Sequence, residues 1–203
     1  MPALPVFSGM NDLQQPKGWY SRGYLPHFDG GEIPQFITAR LFDSLPQNIL
    51  QRFQLELERK GIENIEYETR KQIEGFLDKG YGECFLRNEK IAKITADALL
   101  FHAEKKYKLI AWVVMPNHIH FLAVPFENIE LAEITHSIKS YTAKESNKIL
   151  NRTGKFWQRE SFDRYIRNYE HFIKTIDYIE NNPVKAKLCD NYTDWKFSSA
   201  FVE

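Results

Sequence analysis

The chain has 203 residues, enough for one domain or at most two small ones. It is 43% hydrophobic, 14% aromatic and 27% charged, a globular composition that excludes disordered and fibrous classes. Its 27 basic and 27 acidic residues balance, so bulk charge cannot draw it to a polyanion and any nucleic-acid site has to be a local patch. Cys84 and Cys189 lie far apart without CxxC spacing, which argues against a disulfide scaffold or a cysteine-based zinc site. The N-terminal stretch has no basic region followed by an apolar run. Apolar runs such as AWVVM and IHFLAV fall well short of the ~20 residues that span a bilayer. These features predict a soluble, cytoplasmic protein with no membrane partner.

Residues 1–31 are rich in Pro and Gly among scattered aromatics and read as an arm that drapes over a core without making one. Residues 32–203 read as a single domain. Within it, IPQFITARLF has strand character, ended by Asp43-Ser44-Leu45-Pro46, with Ser44 as the N-cap of a helix carrying Ile49, Leu50, Phe53 and Leu57. The acidic stretch Lys60 to Gly82 reads as a helical excursion. Residues 88–105 place Ile91, Ile94, Ala98, Leu99 and Phe101 at amphipathic helical spacing. Tyr107–Met115 and His118–Val124 are β-rich runs around Met115-Pro116-Asn117, a hairpin. A helix over 128–150, a strand over 161–167 and a helix from Glu170 to Asn181, ended by Pro183, complete the order. The expected fold class is α+β: a ferredoxin-like or RRM-like sandwich, its antiparallel sheet covered by helices mainly on one face.

Three constellations carry chemistry. In a strand, residues i and i+2 share a face, so His118 and His120 project together while Ile119 faces away. Two such imidazoles are either an incomplete pair of metal ligands or one exposed and one hydrogen-bonded histidine at a sheet rim. Tyr178 and Asn182, at i and i+4, share a helical face. They are either a functional pair or a core aromatic and a terminal cap. Between Thr135 and Lys174 nine cations face four anions, with Phe156, Trp157, Tyr165 and Tyr169 interleaved. That mixture suits single-strand recognition, and equally a solvated face over core aromatics.

Taken together, these motifs resemble the single-tyrosine transposases of the HUH nuclease superfamily, in the REP-associated tyrosine transposase branch. The resemblance is carried by WVVMPNHIHFLAV (112–124), GKFWQRESFDRYIRNYEHF (154–172) and YIENNPVKA (178–186), with SRGYLPHFD (21–29) and QFITARLFDSLP (35–46) upstream. It implies a metal-dependent single-strand DNA endonuclease and strand transferase acting on hairpin-forming repeat DNA through a 5′-phosphotyrosine. Tyr178 would be the nucleophile, and His118, His120 and Asn182 would ligate Mg²⁺ or Mn²⁺. Tyr141 competes for the role of nucleophile. Tyr178 is preferred because YIENNP matches the branch's tyrosine motif and Asn182 adds a third ligand. Glu180 is read either as assisting proton transfer or as simply solvated. The branch usually has Gly where Lys187 stands, which predicts a different local loop.

Phosphate contacts are assigned to Lys139, Lys144, Arg159, Arg164 and Arg167, and base stacking to Trp157, with Arg22 and His27 of the arm reaching over a hairpin. The partner is single-stranded or hairpin DNA, with a monomer and a homodimer equally open. The alternatives are a non-catalytic nucleic-acid-binding module of the same fold and a metal-dependent hydrolase built on the histidine pair. A domesticated form of the same transposase would be chemically identical.

Overall fold

A computed structural model describes residues 18–21, 26–45 and 65–203, with positions 49, 52, 55, 56 and 59 of the intervening segment. Arg22, Pro46 and most of the helix expected around Ile49 to Leu57 lie outside the described residues.

The frame is a four-stranded antiparallel sheet. Its strands are β3 (Gln35–Arg40), β4 (Tyr107–Val114), β5 (His118–Pro125) and β6 (Phe162–Tyr165), in the spatial order β4-β5-β3-β6. A separate two-stranded hairpin, β1 (Gly18–Ser21) and β2 (Pro26–Asp29), precedes it. The helices are α1 (Ile65–Asp78), α2 (Glu89–His102), α3 (Leu131–Ile149), α4 (Tyr169–Glu180) and the single turn α5 (Asn182–Lys185).

β5 decides the architecture. Its residues are buried almost without interruption, not alternately, because it is a central strand covered on both faces. Ile119, Phe121 and Ala123 join Ile37 and Ala39 of β3 beneath α2 and α3, through Ile91, Leu99, Ile134 and Ile138. On the other face Leu122 joins Phe36, Ala111 and Val113 against Phe172 and Ile179 of α4. Each such side chain contributes about 1.5–3 kcal/mol of burial. The α+β sandwich therefore stands as expected, with two long helices on one face. The helix on the other face is the one that carries Tyr178.

Local chemistry sets the helix starts. The Asn88 side chain accepts from the Lys90 N–H (3.0 Å), and that of Asn168 from the His171 N–H (2.8 Å). Ser44 is buried and donates to the Leu41 carbonyl at 2.7 Å, so its hydroxyl closes the turn after β3.

Two expectations change. The arm contains the β1–β2 hairpin, and the hairpin is docked on β6. His27 bonds to the buried Asp163, whose second oxygen accepts from the Phe28 N–H (3.0 Å), and Phe28 meets the Tyr165 ring at 4.6 Å. His27 is therefore a buried tie between β2 and β6, unavailable to reach over DNA. Pro183 does not end the helical path either. Asn181 stays right-handed (φ −83°, ψ −1°), and Pro183 sits at the start of α5, where its missing N–H costs nothing.

α5 ends in a Schellman turn. Lys187 N–H donates to Val184 O and Leu188 N–H to Pro183 O, both at 2.9 Å, with Lys187 left-handed at φ +58°. The turn that glycine would favour is thus adopted here by a lysine. A left-handed non-glycine residue carries a penalty of roughly 1 kcal/mol. Lys187→Gly should accordingly raise unfolding free energy by about 0.5–1 kcal/mol in urea titration, an unchanged midpoint counting against this account.

Candidate active site

β5 aims both imidazoles at the α4 face. His118 lies opposite Arg40 and His120 opposite Thr38 in the β3 register, and both histidines are fully buried. Their rings stand 4.6 Å apart, nearly perpendicular. Phe36 stacks on His120 at 5.2 Å. Tyr178 from α4 closes the group: its ring lies 5.4 Å from His120 and 5.8 Å, edge-on, from Phe36. Asn182 follows one turn later, fully buried at the start of α5.

The imidazole tautomers follow from their neighbours. Asn117 Nδ2 donates to Tyr81 O at 2.9 Å, which turns the amide oxygen toward His118. That oxygen, 2.8 Å from His118 Nδ1, can only accept, so Nδ1 carries the proton and Nε2 presents its lone pair. His120 Nδ1 lies 2.8 Å from Thr38 Oγ1, a hydroxyl that can donate or accept, and this contact orients the ring with Nε2 toward the site. Burial pushes His118 down to about 3, reinforced by the positive charge of Lys185. Burial also holds His120 well below the ordinary histidine range, with His118 and Lys185 adding to it. Both are free bases at neutral pH.

His118 Nε2, His120 Nε2 and both amide atoms of Asn182 are buried without a hydrogen-bond partner. An unsatisfied buried polar atom costs about 1–3 kcal/mol, so such a group calls for something to bind. Two imidazole lone pairs and an amide oxygen fit a divalent cation. Among the described residues no group of three His, Cys, Asp or Glu side chains could hold a metal, so a cation here would need a donor of another type, such as the Asn182 amide.

The other sequence-selected residues divide. Tyr141 is 54% exposed on α3, whose apolar side packs on the sheet face away from the histidines. Glu180 accepts from Ser199 Oγ (3.1 Å) and is pushed up by burial; it anchors the C-terminal segment that lies along β4. Trp157 is a correction: it is 6% exposed, its Nε1 donates to Thr142 Oγ1 (2.8 Å), and the ring belongs to the core rather than to a stacking surface. Lys139 Nζ donates to Arg159 O (2.8 Å) and Ser161 Oγ (3.3 Å), and burial lowers it to about 8. It lines a cavity of about 490 Å³ between α3 and residues 154–163, together with Arg159 and Glu160. That cavity opens on the sheet face away from Tyr178. Lys144, Arg159 and Arg167 are exposed, and Arg167 lies over the Tyr165 ring at 5.8 Å. Arg164, opposite Phe36 in register, is on the histidine face.

Sequence reading missed Asn117, Thr38 and Lys185. Asn117 and Thr38 carry no periodic signal; they are found only once strand register sets them beside the imidazoles. Lys185 stands in the YIENNPVKA motif, two helical turns past Tyr178, which is the signal that could have found it. Its Nζ is 5.3 Å from the centre of the Tyr178 ring.

Comparison with known proteins finds similarity to transposases. Residues 86–182, which run from just before α2 through Asn182, match the family "Transposase IS200 like". The matched segment holds β4, β5, α3, β6 and α4 with both histidines, Tyr178 and Asn182. The chain is 28% identical over 123 residues to the REP-associated tyrosine transposase of Escherichia coli (strain K12), covering 56% of this chain and 71% of that protein. A solved REP-associated tyrosine transposase bound to a REP hairpin shares the fold, with a TM-score of 0.51 and 19% identity over 89% of this chain and 81% of that one. Over about half of its length the chain is thus similar to REP-associated tyrosine transposases. No helix among the described residues is long and apolar enough to cross a membrane.

Proposed function

We propose that this protein is a metal-dependent single-strand DNA endonuclease and strand transferase, with Tyr178 as nucleophile and hairpin-forming repeat DNA as substrate. The observation that carries the reading is the set of buried, unsatisfied donors His118 Nε2, His120 Nε2 and Asn182 Oδ1, with the Tyr178 ring against His120. The solved relative that carries a REP hairpin supports the choice of substrate.

The chain's own groups define the chemistry. The Tyr178 oxygen attacks a phosphodiester, an O–P bond forms to the 5′ side, and the P–O3′ bond breaks to free a 3′-OH. The phenolic proton is lost and the leaving oxygen takes one up. The covalent bond retains the phosphodiester linkage, so a second 3′-OH can reverse the step on another strand. Mg²⁺ or Mn²⁺ held by His118, His120 and Asn182 would neutralise charge developing on the phosphate. Asn117 and Thr38 fix the two imidazoles with Nε2 inward, an outer layer of the kind that holds ligands in register. Phe36 packs against both His120 and Tyr178 and keeps the ring in place. Phosphate contact beside the centre is assigned to Arg164, on the histidine face. The exposed Lys144, Arg159 and Arg167 would meet a more distant stretch of backbone, while Lys139 is tied to Arg159 O and Ser161 Oγ. Such phosphate contacts leave backbone affinity dependent on salt.

A denaturing gel tests the reading. Protein is incubated with Mn²⁺ and end-labelled single-stranded oligonucleotides carrying hairpins from beside its own gene. The expected product is a protease-sensitive protein–DNA adduct that is absent with EDTA and in Tyr178→Phe, and present in Tyr141→Phe. An adduct that survives Tyr178→Phe but not Tyr141→Phe would move the nucleophile to α3. Tight hairpin binding without adduct would favour a binding module, and a nick without adduct a hydrolase.

A further inference from the structure

Lys185 places a cation over the ring of the candidate nucleophile. Its Nζ lies 2.9 Å from Asp78 Oδ2, at the end of α1, and 5.3 Å from the centre of the Tyr178 ring. The Asp78 side chain is 13% exposed, that of Lys185 55% exposed. A pair with one partner this open to solvent adds little stability, typically 0–1 kcal/mol. The lysine ammonium nonetheless stands beside the donors, since it lies over the ring of Tyr178, which itself meets His120 at 5.4 Å. A fixed cation beside a donor set that is to hold a dication is electrostatically unfavourable until an anion comes between the two. The anion that enters this site, on the reading above, is a DNA phosphate.

We infer that Lys185 binds a non-bridging oxygen of the phosphate presented to Tyr178, and that Asp78 positions the ammonium for it. The helical excursion thereby acquires a role: α1 brings one carboxylate to the rim of the site and holds the lysine stem across the tyrosine ring. Lys185 touches the substrate and is a catalytic residue; Asp78 acts through it. During attack the O–P bond to Tyr178 forms as the P–O3′ bond breaks. Lys185 keeps its proton throughout and compensates negative charge on the equatorial oxygens. The inference rests on Tyr178 as the attacking group.

The test separates the two claims. Hairpin oligonucleotides, each with one phosphate neutralised as a methylphosphonate, are titrated in EDTA against wild type, Lys185→Met and Lys185→Arg. Lys185→Met should bind the unmodified oligonucleotide about fivefold to tenfold more weakly, with a salt slope lower by ~1. It should also be indifferent to neutralisation at one phosphate to which wild type is sensitive. Lys185→Arg should restore both. Asp78→Asn keeps the lysine charge but frees it, and a loss of about threefold in the same direction is expected. With Mn²⁺ and saturating DNA, adduct formation by Lys185→Met should slow by about 10–100-fold. A Lys185→Met protein with the wild-type methylphosphonate profile would overturn the inference, and tighter binding by Asp78→Asn would overturn the positioning role. An adduct that survives Tyr178→Phe would instead overturn the assignment of the nucleophile, whatever the binding profile shows.

Discussion

Mixed in equal amounts, a His118→Ala/His120→Ala protein and a Tyr178→Phe protein should yield no adduct beyond what each gives alone. The reason is geometric. Tyr178 meets His120 at 5.4 Å within one chain, and α4 is held on that face by Phe172 and Ile179 against Phe36, Val113 and Leu122. The short path from Asn181 through Pro183 keeps α5 next to α4, so Asn182 comes with the tyrosine. Lifting α4 from its own sheet to serve a partner would expose Phe172, Ile179 and the apolar surface they cover, at about 1.5–3 kcal/mol for each large side chain. A site assembled from one chain gives complementation near zero, under about 1% of wild type, because neither variant owns a full set of groups. If tyrosine and histidines came from different subunits, mixed dimers would restore a substantial fraction of the activity. A time course of adduct formation after mixing and incubation decides this directly.

Acid should destabilise the metal-free protein through the same two histidines. Their folded-state pKa values are depressed, His118 to about 3, whereas in the unfolded chain they return to about 6.5. Between those values the unfolded state binds protons that the folded state refuses. Stability is therefore highest above pH 6.5 and falls as pH drops toward 3. Each shifted histidine contributes a slope of about 1.4 kcal/mol per pH unit, so His118 alone costs roughly 3 kcal/mol between pH 6.5 and 4.5. His120 loses stability in the same direction. A domain whose total stability is about 5–15 kcal/mol would then unfold well above the pH at which its carboxylates are fully protonated. Urea titrations in EDTA at pH 7 and 4.5 measure the loss. His118→Gln/His120→Gln should flatten the slope by at least the His118 share, and an unchanged slope would sink the assignment. A bound divalent cation, competing with protons for the same lone pairs, should push the acid limb to lower pH.

Much of the site was legible in the chain itself. Strand periodicity put His118 and His120 on one face, and the helical i, i+4 relation put Tyr178 beside Asn182, before any packing was known. The pair Tyr141 and Tyr178 could not be ranked by periodicity, since both lie on amphipathic helices. The motif around Tyr178 favoured it, and the sheet separates the two physically: α3 packs against Ile119 and Phe121, α4 against Leu122, and the histidines look toward α4. The same logic undid the reading of Trp157 and His27. Each is an aromatic or imidazole near cations, a composition that suits DNA, yet Trp157 is bonded to Thr142 and His27 to Asp163 inside the fold. The basic tract was divided too, Lys139 and Lys144 going with α3 while Arg164 went to the histidine face.

The sequence by itself thus determined most of the sheet and helix elements and the pairing of His118 with His120 and of Tyr178 with Asn182, because these depend on spacings of two, three and four residues along one backbone. The resemblance to the transposase branch, not spacing, joined the two pairs into one proposed centre. Tertiary structure alone decided which face α4 covers, which cations flank the tyrosine, and that Asp78 holds Lys185. Those pairings join residues far apart in the chain, and they are set by which apolar surfaces bury one another, a property that no local period encodes.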